Sequence, residues 1–221
     1  MSAKNRQELV VILHGIGMPK MRMAYIEFGL KRAGFKTLNI AYPSLRNSIE
    51  DCAAFVAKKL DGNIPDNIEK IHFVAHSMGC LVSLQTMTAA NLPKISRAVF
   101  IAPPFRGSEV ADYLHQSALY KFAFGPAGGQ LTTHYRRNLN HALPANLEVG
   151  VIAGSRGYEY PLFLHVMKKT GVHDGLVALS STQIDGLKDH ITIHMSHSFL
   201  LERSVSQVTH FLKNGSFLHK V

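Results

Sequence analysis

The stretch IHFVAHSMGCLVS, residues 71–83, contains the strongest structural signal in the chain. Residues 71–75 form a short, mostly apolar run, which is typical of a strand buried inside a sheet. Residues 78–90 are apolar on nearly every side, as expected of a helix that packs against the centre of a sheet. The stretch therefore predicts a buried strand, a tight turn around Ser77 and a buried helix that begins at once.

The rest of the chain repeats this alternation of short apolar runs with longer segments of helical spacing. Strands are predicted at residues 9–13, 37–41, 71–75, 98–102, 148–153 and 191–194. Most of these runs are too continuously apolar for a sheet that exposes one face to water. We therefore expect an α/β fold, with a minimal, mostly parallel sheet of about six strands and helices on both faces.

Helical spacing fills the intervals between the predicted strands. Helices are predicted at residues 22–33, 47–61, 78–90, 109–124 and 204–213. The second begins at Asn47 or Ser48, where Asn47 with Glu50 resembles a capping box. The least regular part is residues 103–146, because residues 125–129 interrupt the helical pattern. We expect residues 1–221 to form a single domain, in which residues 103–146 form either a small cap or a long crossover.

The composition fits one globular domain. The chain has 221 residues, of which 46% are hydrophobic and 18% charged, enough for a core without metal or disulfide staples. With only two cysteines no disulfide framework is expected, and Cys80 is predicted to be a buried reduced thiol. The first residues lack the pattern of a secretory signal, and no apolar run approaches the roughly 20 residues of a transmembrane helix. A cytoplasmic protein is therefore expected.

The chain is basic, with 24 Lys and Arg against 15 Asp and Glu and a net charge of +9. These charges stand in ones and twos along the whole sequence. Such scatter predicts a solvated basic surface and argues against a nucleic-acid partner. Weak binding to an anionic surface stays open, and the sequence does not indicate the oligomeric state.

Ser77 is the candidate nucleophile. Residues 75–79, AHSMG, resemble the G-x-S-x-G nucleophile elbow, in which a serine stands on a strained turn between a strand and a helix. Small residues are needed two positions either side of the serine because the helix and the strand nearly touch there. Ala75 replaces the first glycine, and alanine is the next smallest residue. The position of Ser77 between a predicted strand and a buried helix favours a nucleophile over a structural serine.

A serine hydroxyl needs a base to take its proton and an acid that holds the base in the right tautomer. Three histidines lie in HITIHMSHSFL, residues 190–200. His190 precedes the last predicted strand and His194 ends it, whereas His197 lies in the loop that follows. We predict His197 as the base, and a packed strand-end residue is at least as good an interpretation of His194.

Asp174 is the predicted acid because it lies in the long segment after the fifth strand, between Ser77 and His197 in the chain. Asp185 and Asp189 are the competitors. Both lie close to the start of the last predicted strand, at the edge of the sheet opposite to the carboxyl ends where a nucleophile would stand. The assignment of Asp174 therefore depends on topology.

Acyl transfer also needs donors aimed at the developing oxyanion. The backbone N–H of Met78, next after the serine, is one candidate, and that of Ile16, in the turn HGIG at residues 14–17, is the other. His14 and His76 are interpreted as structural or orienting residues. No dinucleotide fingerprint, phosphate loop or metal-ligand set is recognised, so neither a cofactor nor a metal is expected.

In their order and spacing these segments resemble the α/β-hydrolase superfamily, in particular its small cytosolic esterase and lipase-like members. The similarity covers nearly the whole chain and runs through LVVILHGIG (9–17), VAHSMG (74–79), IAPPFRGSEVADYL (101–114), VIAGSR (151–156), HDGLVALSST (173–182) and MSHSFLL (195–201). It implies a three-layer α/β-hydrolase fold and assigns the catalytic roles to Ser77, Asp174 and His197. The chain departs from the pattern at Ala75, and it lacks the first two strands of larger members.

The ordered serine, acid and histidine predict a serine hydrolase that cleaves carboxylic esters of small or medium acyl chains through an acyl-enzyme. Met18, Met21 and Met23, with residues 119–124 and 158–163, are expected near an acyl pocket. Thioesterase, lysophospholipase and amidase chemistry stays open because it uses the same groups. So does a non-catalytic hydrolase scaffold whose basic face binds an acidic partner or a membrane surface.

Overall fold

A computed structural model describes residues 7–89, 92, 94–137, 142–157 and 161–219. Within these residues six strands form one sheet, in the order β2-β1-β3-β4-β5-β6. The strands are β1 (Gln7–Leu13), β2 (Lys36–Ile40), β3 (Ile68–His76), β4 (Ile95–Ile101), β5 (Glu148–Gly154) and β6 (Asp189–Ile193). Every neighbouring pair is parallel. The predicted α/β class and the parallel sheet are confirmed.

The order of the strands reverses at the centre of the sheet, between β1 and β3. From β1 the chain first adds β2 on one side and then returns to add β3 on the other. In a parallel α/β sheet the connections that leave two such strands diverge, which opens a crevice at the carboxyl ends of the strands. The loop after β1 and the turn after β3 therefore border the expected site.

The described helices cover both faces of the sheet, as predicted. They are α1 (Ala24–Arg32), α2 (Ile49–Leu60), α3 (Met78–Ala89), α4 (Glu109–Leu114), α5 (Ala118–Gln130), α6 (Thr133–Arg137), α7 (Leu164–Met167) and α8 (Leu200–Asn214). α2 and α3 pack together in the core on one face, and α1 and α8 do so on the other. Among the helices in the described ranges, none combines the length and apolarity needed to cross a membrane.

The strands are apolar on both sides because the sheet has two buried faces. Along β1, Leu9, Val11 and Leu13 pack with α2 and α3, whereas Val10 and Ile12 pack with α1 and α8. Successive side chains of a strand point to opposite faces. A strand with a core on each side must therefore be apolar at every position, which explains the continuous runs in the sequence.

Both cysteines are buried and free, Cys52 in α2 and Cys80 in α3. Burial raises the pKa of the Cys52 thiol to about 11 and that of Cys80 well above its ordinary value. Because the thiolate is the reactive form of cysteine, these are structural residues. The predicted buried, reduced Cys80 is confirmed.

Two helix starts differ from the prediction. Helix α2 is capped by Ser48, whose Oγ accepts a hydrogen bond from the Asp51 N–H at 3.0 Å, so the capping pair is not Asn47 with Glu50. Helix α8 begins at Leu200, four residues before the predicted start. Ser204 resembles a cap in the sequence, but its hydroxyl donates to the Leu200 carbonyl at 2.6 Å. A serine bonded back along the helix in this way fits inside it.

The irregular segment between β4 and β5 contains three of the helices, α4, α5 and α6. The predicted continuous helix over residues 109–124 is interrupted, because α4 ends at Leu114 and a new helix begins after Ser117. The predicted break at residues 125–129 is confined to Gly125, whose φ of 57° and ψ of −157° bend α5 before it continues to Gln130. Residues 138–141, also within the segment, lie outside the described residues.

His72, in the middle of β3, is a buried histidine away from the crevice. Its Nε2 lies 3.4 Å from the Glu8 carboxylate, and Phe35 contacts its ring edge-on. Within the described residues neither ring nitrogen makes a hydrogen bond. Burial lowers the pKa of His72 to about 4, the nearby Glu8 carboxylate acting in the opposite direction.

We expect His72 to make folding sensitive to acid. The unfolded chain binds a proton at His72 near pH 6.5, whereas the folded chain does so only near pH 4, so the stability that the neutral ring supports falls as the pH drops through this window. His72→Leu should therefore reduce the pH dependence of the free energy of unfolding between these values by about one proton. Urea unfolding at a series of pH values measures this slope, and equal slopes for the two proteins would contradict the expectation.

Candidate active site

Ser77 stands on a strained turn between the end of β3 and the start of α3. Its φ is 53°, in the left-handed region that a serine rarely adopts. The Ser77 N–H donates to the Ile101 carbonyl at the end of β4, at 2.8 Å. Such strain persists where the surrounding structure enforces it, and it is typical of functional sites. The turn has the geometry that the AHSMG sequence predicts.

The turn is tight because α3 passes directly over the end of β1. A Cβ atom at Gly79 would lie 2.4 Å from the His14 carbonyl oxygen and 2.9 Å from that of Leu13, closer than any real contact. Ala75, which replaces the first glycine of the elbow, is buried in β3 between Leu13 and Phe100 on the neighbouring strands. The core accommodates this methyl group, whereas position 79 admits only a hydrogen atom.

His197 and Asp174 form a buried hydrogen-bonded pair. His197 Nδ1 lies 2.7 Å from Asp174 Oδ2, and the His197 N–H donates to the Asp174 carbonyl at 3.0 Å. The other carboxylate oxygen accepts from the N–H groups of Leu176 and Val177 at 3.0 and 2.8 Å. The carboxylate is therefore held by the backbone, and it orients the imidazole so that Nδ1 carries the proton and Nε2 has a free lone pair.

The two loops can approach each other because β5 ends in a glycine. A Cβ atom at Gly154 would lie 2.6 Å from the Asp174 Cβ and 2.6 Å from the Met195 carbonyl oxygen. On the other side, Arg22 Nη2 donates to the Ser198 carbonyl at 3.0 Å. The loop that carries His197 is thus packed against the end of β5 on one side and hydrogen-bonded to Arg22, in the segment after β1, on the other.

His76 lies beneath His197, with the two ring centroids 4.7 Å apart. Its Nε2 is 3.1 Å from the His197 carbonyl oxygen, so Nε2 must carry the proton and donate it. Burial, together with the nearby His197, lowers the pKa of His76 well below its ordinary value. A neutral His76 therefore supports the histidine loop, in agreement with the orienting role expected from the sequence.

Ser77 and His197 line the same cavity of about 300 Å³. The Ser77 hydroxyl makes no hydrogen bond to the His197 ring in the described part of the chain. A contact between nucleophile and base is commonly long until a substrate occupies the site. The structure thus joins His197 to Asp174 directly and brings Ser77 to the same cavity wall.

The two residues predicted as oxyanion donors lie close to the serine, one next to it in the chain and one on the wall of the same cavity. Met78 opens α3, and Ile16 lies in the loop after β1, where it lines the cavity. Among the described residues neither N–H is engaged by another protein group. The loop is held in place by the Ser44 hydroxyl, which accepts from the Gly17 N–H at 3.1 Å. Neither amide is therefore committed to another bond in the described chain, and Ile16 and Ser77 line the same cavity.

The competing residues of the sequence analysis lie elsewhere. His190 bonds to Thr182 at 3.0 Å, and His194 is exposed beside Ser155. Asp189 opens β6 and accepts from the Phe217 N–H, and Asp185 lies in a different pocket. Of these four competitors, none lines the cavity of Ser77. Of the three histidines only His197 lines that cavity, and of the three carboxylates only Asp174 bonds to His197 within the described residues.

His14 is a structural residue in the fold. Its Nδ1 donates to the Gly15 carbonyl at 2.8 Å, and its ring stacks on Tyr42 with centroids 4.3 Å apart. Burial lowers its pKa. Within the described residues, no group of three or more His, Cys, Asp or Glu side chains could hold a metal ion.

The apolar lining of the cavity was only partly foreseen. Of the three methionines after β1, Met18 lines the cavity and Met21 is exposed three residues further along the chain, whereas Met23 is buried in the core cluster that contains α1 and α8. The expectation is therefore wrong for Met23. In a helical turn only one of every three or four side chains points to a given side, so the three methionine side chains point in different directions. Tyr120, Phe124 and Phe163 do line the cavity, and residues 158–160 lie outside the described residues.

Sequence reasoning missed the walls contributed by the segment after β4 and by the acid loop. These lining residues are Pro104, Ser108, Val110, Ala111, Leu114, Leu131, Leu176 and Val177. These residues follow the carboxyl end of a central strand or stand next to the predicted acid, and that position in the sequence could have indicated that they lie near the site. Which of their side chains face the cavity depends on how α4 and α5 pack.

Comparison with known proteins agrees with this architecture. A sequence model of the alpha/beta hydrolase family matches residues 10–181, and the chain belongs to that family. No curated protein sequence matches the chain significantly.

Solved structures share the fold at low sequence identity. The mature lipase BlEst2 of Bacillus licheniformis is 17% identical with a TM-score of 0.78, and the match covers 96% of this chain and 93% of that one. The metagenomic carboxyl esterase MGS0156 is 20% identical with a TM-score of 0.71, over 88% and 65% of the two chains. The Staphylococcus hyicus lipase is 14% identical with a TM-score of 0.69, over 97% of each chain.

We expect Gly79→Ala to destabilise the fold. In an ordinary helix interior alanine is favoured over glycine by about 1 kcal/mol, so a loss of stability isolates the clash with the His14 and Leu13 carbonyls. The expected loss is about 1–3 kcal/mol, measured by chemical denaturation. Ser83→Ala, one turn further along the same helix, should have a smaller effect. A Gly79→Ala protein as stable as the parent would contradict the close approach.

Proposed function

We propose that this protein is a serine hydrolase that cleaves carboxylic esters through an acyl-enzyme on Ser77. One observation carries the proposal: a histidine held by a buried carboxylate at 2.7 Å lines the same cavity as a serine on a strained strand-to-helix turn. A structural serine would need neither the strained turn nor an oriented imidazole beside it. The membership of the alpha/beta hydrolase family supports the same class of chemistry.

In the proposed first half-reaction, His197 Nε2 accepts the Ser77 proton while Ser77 Oγ attacks the ester carbonyl carbon. Asp174, which accepts the Nδ1 hydrogen bond, stabilises the imidazolium that forms. His197 then donates this proton to the departing alkoxide, so the C–O bond breaks and the alcohol leaves. Ser77 keeps the acyl group as an ester.

In the second half-reaction a water molecule takes the place of the alcohol. His197 accepts a proton from the water as its oxygen attacks the acyl carbon, and it returns the proton to Ser77 Oγ as the acid is released. In both steps the negative charge on the carbonyl oxygen needs donors that are already in place. The N–H groups of Ile16 and Met78, on either side of the serine, are the proposed oxyanion hole.

The cavity suggests the size of the acyl group. Its volume of about 300 Å³ is at the small end of ligand pockets, which span roughly 300–1,000 Å³. Apolar side chains dominate its walls, with Tyr120 stacked on Phe124 at a centroid distance of 4.7 Å. Such a lining favours a short or medium acyl chain, and the lining residues among those described include no Lys, Arg, Asp or Glu.

We expect Ser77→Ala to abolish both hydrolysis of p-nitrophenyl esters and covalent labelling by a fluorophosphonate, because the attacking oxygen is gone. The loss of turnover should be at least about 10³-fold. Ser83→Ala is the matched control, since Ser83 is a buried serine of α3 whose hydroxyl donates to the Gly79 carbonyl. If the parent protein is neither labelled nor active, the non-catalytic scaffold replaces the proposal.

We expect Asp174→Asn to reduce kcat by roughly 10³- to 10⁴-fold with little change in KM. An amide cannot stabilise the imidazolium, and it can hold His197 in the wrong tautomer. Asp185→Asn is the control, because this carboxylate competes with Asp174 in the sequence but lies in a different pocket. Steady-state kinetics on a soluble ester separates the two carboxylates, and equal effects would contradict the assignment.

A further inference from the structure

Large apolar side chains are exposed on the segments that wall the cavity. We call this set the apolar rim; it consists of Met21, Leu119, Phe122, Leu162 and Phe199, each between 49% and 88% exposed. Every member lies within three residues of a side chain that lines the cavity. Single exposed apolar residues are ordinary, but four chain segments that meet at one cavity and each expose such a side chain indicate an interaction surface.

Helix α5 shows the arrangement most clearly, because it is apolar on two faces. Tyr120 and Phe124, four residues apart, lie on the face that lines the cavity. Leu119 and Phe122, three residues apart, share the opposite face, and Phe122 is 88% exposed. The inner face is explained by the cavity. Packing within the described chain does not explain why the outer face is apolar, because its two large side chains are exposed.

Basic residues accompany the apolar rim. Three of the four rim segments, residues 18–23, 118–124 and 161–169, contain five Lys or Arg and no Asp or Glu, and the fourth, residues 195–203, contains one Arg and one Glu. Lys20 stands next to Met21, and Lys121 lies between Leu119 and Phe122; both lysines are exposed. This part of the surface is therefore positive as well as apolar, on a chain whose net charge is already +9.

We propose that the apolar rim docks on a lipid surface that contains anionic headgroups, and that the ester substrate is drawn from that surface. Apolar side chains that insert below the headgroups, with lysines level with the phosphates, are the pattern of an interfacial protein. The proposal rests on the hydrolase function proposed above and adds the physical state of the substrate. An apolar cavity whose walls continue into the rim suits an acyl chain that leaves a bilayer.

A lipid surface fits the rim better than a protein partner does. The rim side chains come from separate segments, and Met21, Leu119 and Phe122 lie within two residues of a lysine, whereas the centre of a protein interface is depleted in charged residues. A fluid, negatively charged surface needs no shape complementarity to such a set. A second copy of this chain would bring another positive surface against this one, which costs electrostatic energy.

Cosedimentation with sucrose-loaded vesicles tests the docking. The parent protein should bind vesicles of phosphatidylcholine mixed with phosphatidylglycerol, and it should bind less at high salt or to phosphatidylcholine alone. The double variant Leu119→Ser, Phe122→Ser should bind at least about tenfold more weakly. Phe28→Ser, Leu218→Ser removes the same two residue types from exposed positions outside the rim, and it should bind like the parent.

Activity separates this proposal from the proposed function. Hydrolysis of soluble p-nitrophenyl acetate should be the same for both double variants and the parent, because no substituted residue lines the cavity. Hydrolysis of an ester dispersed in anionic vesicles should fall at least about tenfold for the rim variant alone. Absence of activity on the soluble ester would contradict the hydrolase function, whereas vesicle binding is measured independently of it.

Three results would overturn the docking proposal. The first is no binding of the parent to anionic vesicles, and the second is an equal loss of binding in both double variants. The third is a dimer in sedimentation equilibrium that the rim variant dissociates and the control variant does not, because the rim would then bind a second copy of the chain.

Discussion

The close approach of α3 to the end of β1 is the constraint on which the site depends. Gly79 lets the helix pass against the His14 and Leu13 carbonyls, and the Ile101 carbonyl holds the Ser77 N–H from the other side. Together these contacts force Ser77 into the left-handed region. A helix seated even slightly further out would relax the turn and move the Met78 N–H away from the serine. The same contact at the buried centre of the sheet thus positions both the proposed nucleophile and one of the two proposed oxyanion donors.

The proposed base and acid come from loops at the other half of the sheet, where β5 and β6 end. Functional residues often lie on loops that a rigid scaffold holds in position, and here hydrogen bonds hold both the acid loop and the histidine loop. The acid loop holds its own carboxylate through two backbone N–H groups, while His76 and Arg22 support the histidine loop from below and from the side. The proposed acid, base and nucleophile therefore lie at one edge of the sheet because parallel strands end there.

The segment between β4 and β5 forms much of the cavity wall. Its helices provide the aromatic wall of the cavity and, on the outer face of α5, much of the apolar rim. The same helix thus connects the proposed acyl pocket with the proposed lipid surface. In the proposed function the ends of the strands supply the chemistry, and the α4–α6 segment and α7 supply the selection of substrate.

Local chemistry was enough to predict the sheet class, the strand positions, the elbow at Ser77 and the ranking of His197 over His190 and His194. Those features depend on the period of the apolar residues, on residue size at Ala75 and Gly79, and on the rule that parallel strands share a carboxyl edge. Four other features depended on tertiary structure: the hydrogen bond of His197 to Asp174, the support from His76, the cavity walls from α4 and α5, and the burial of Met23 in the core. They are contacts between residues far apart in the chain, or choices of helix face, and both follow from how the elements pack rather than from the order of the residues.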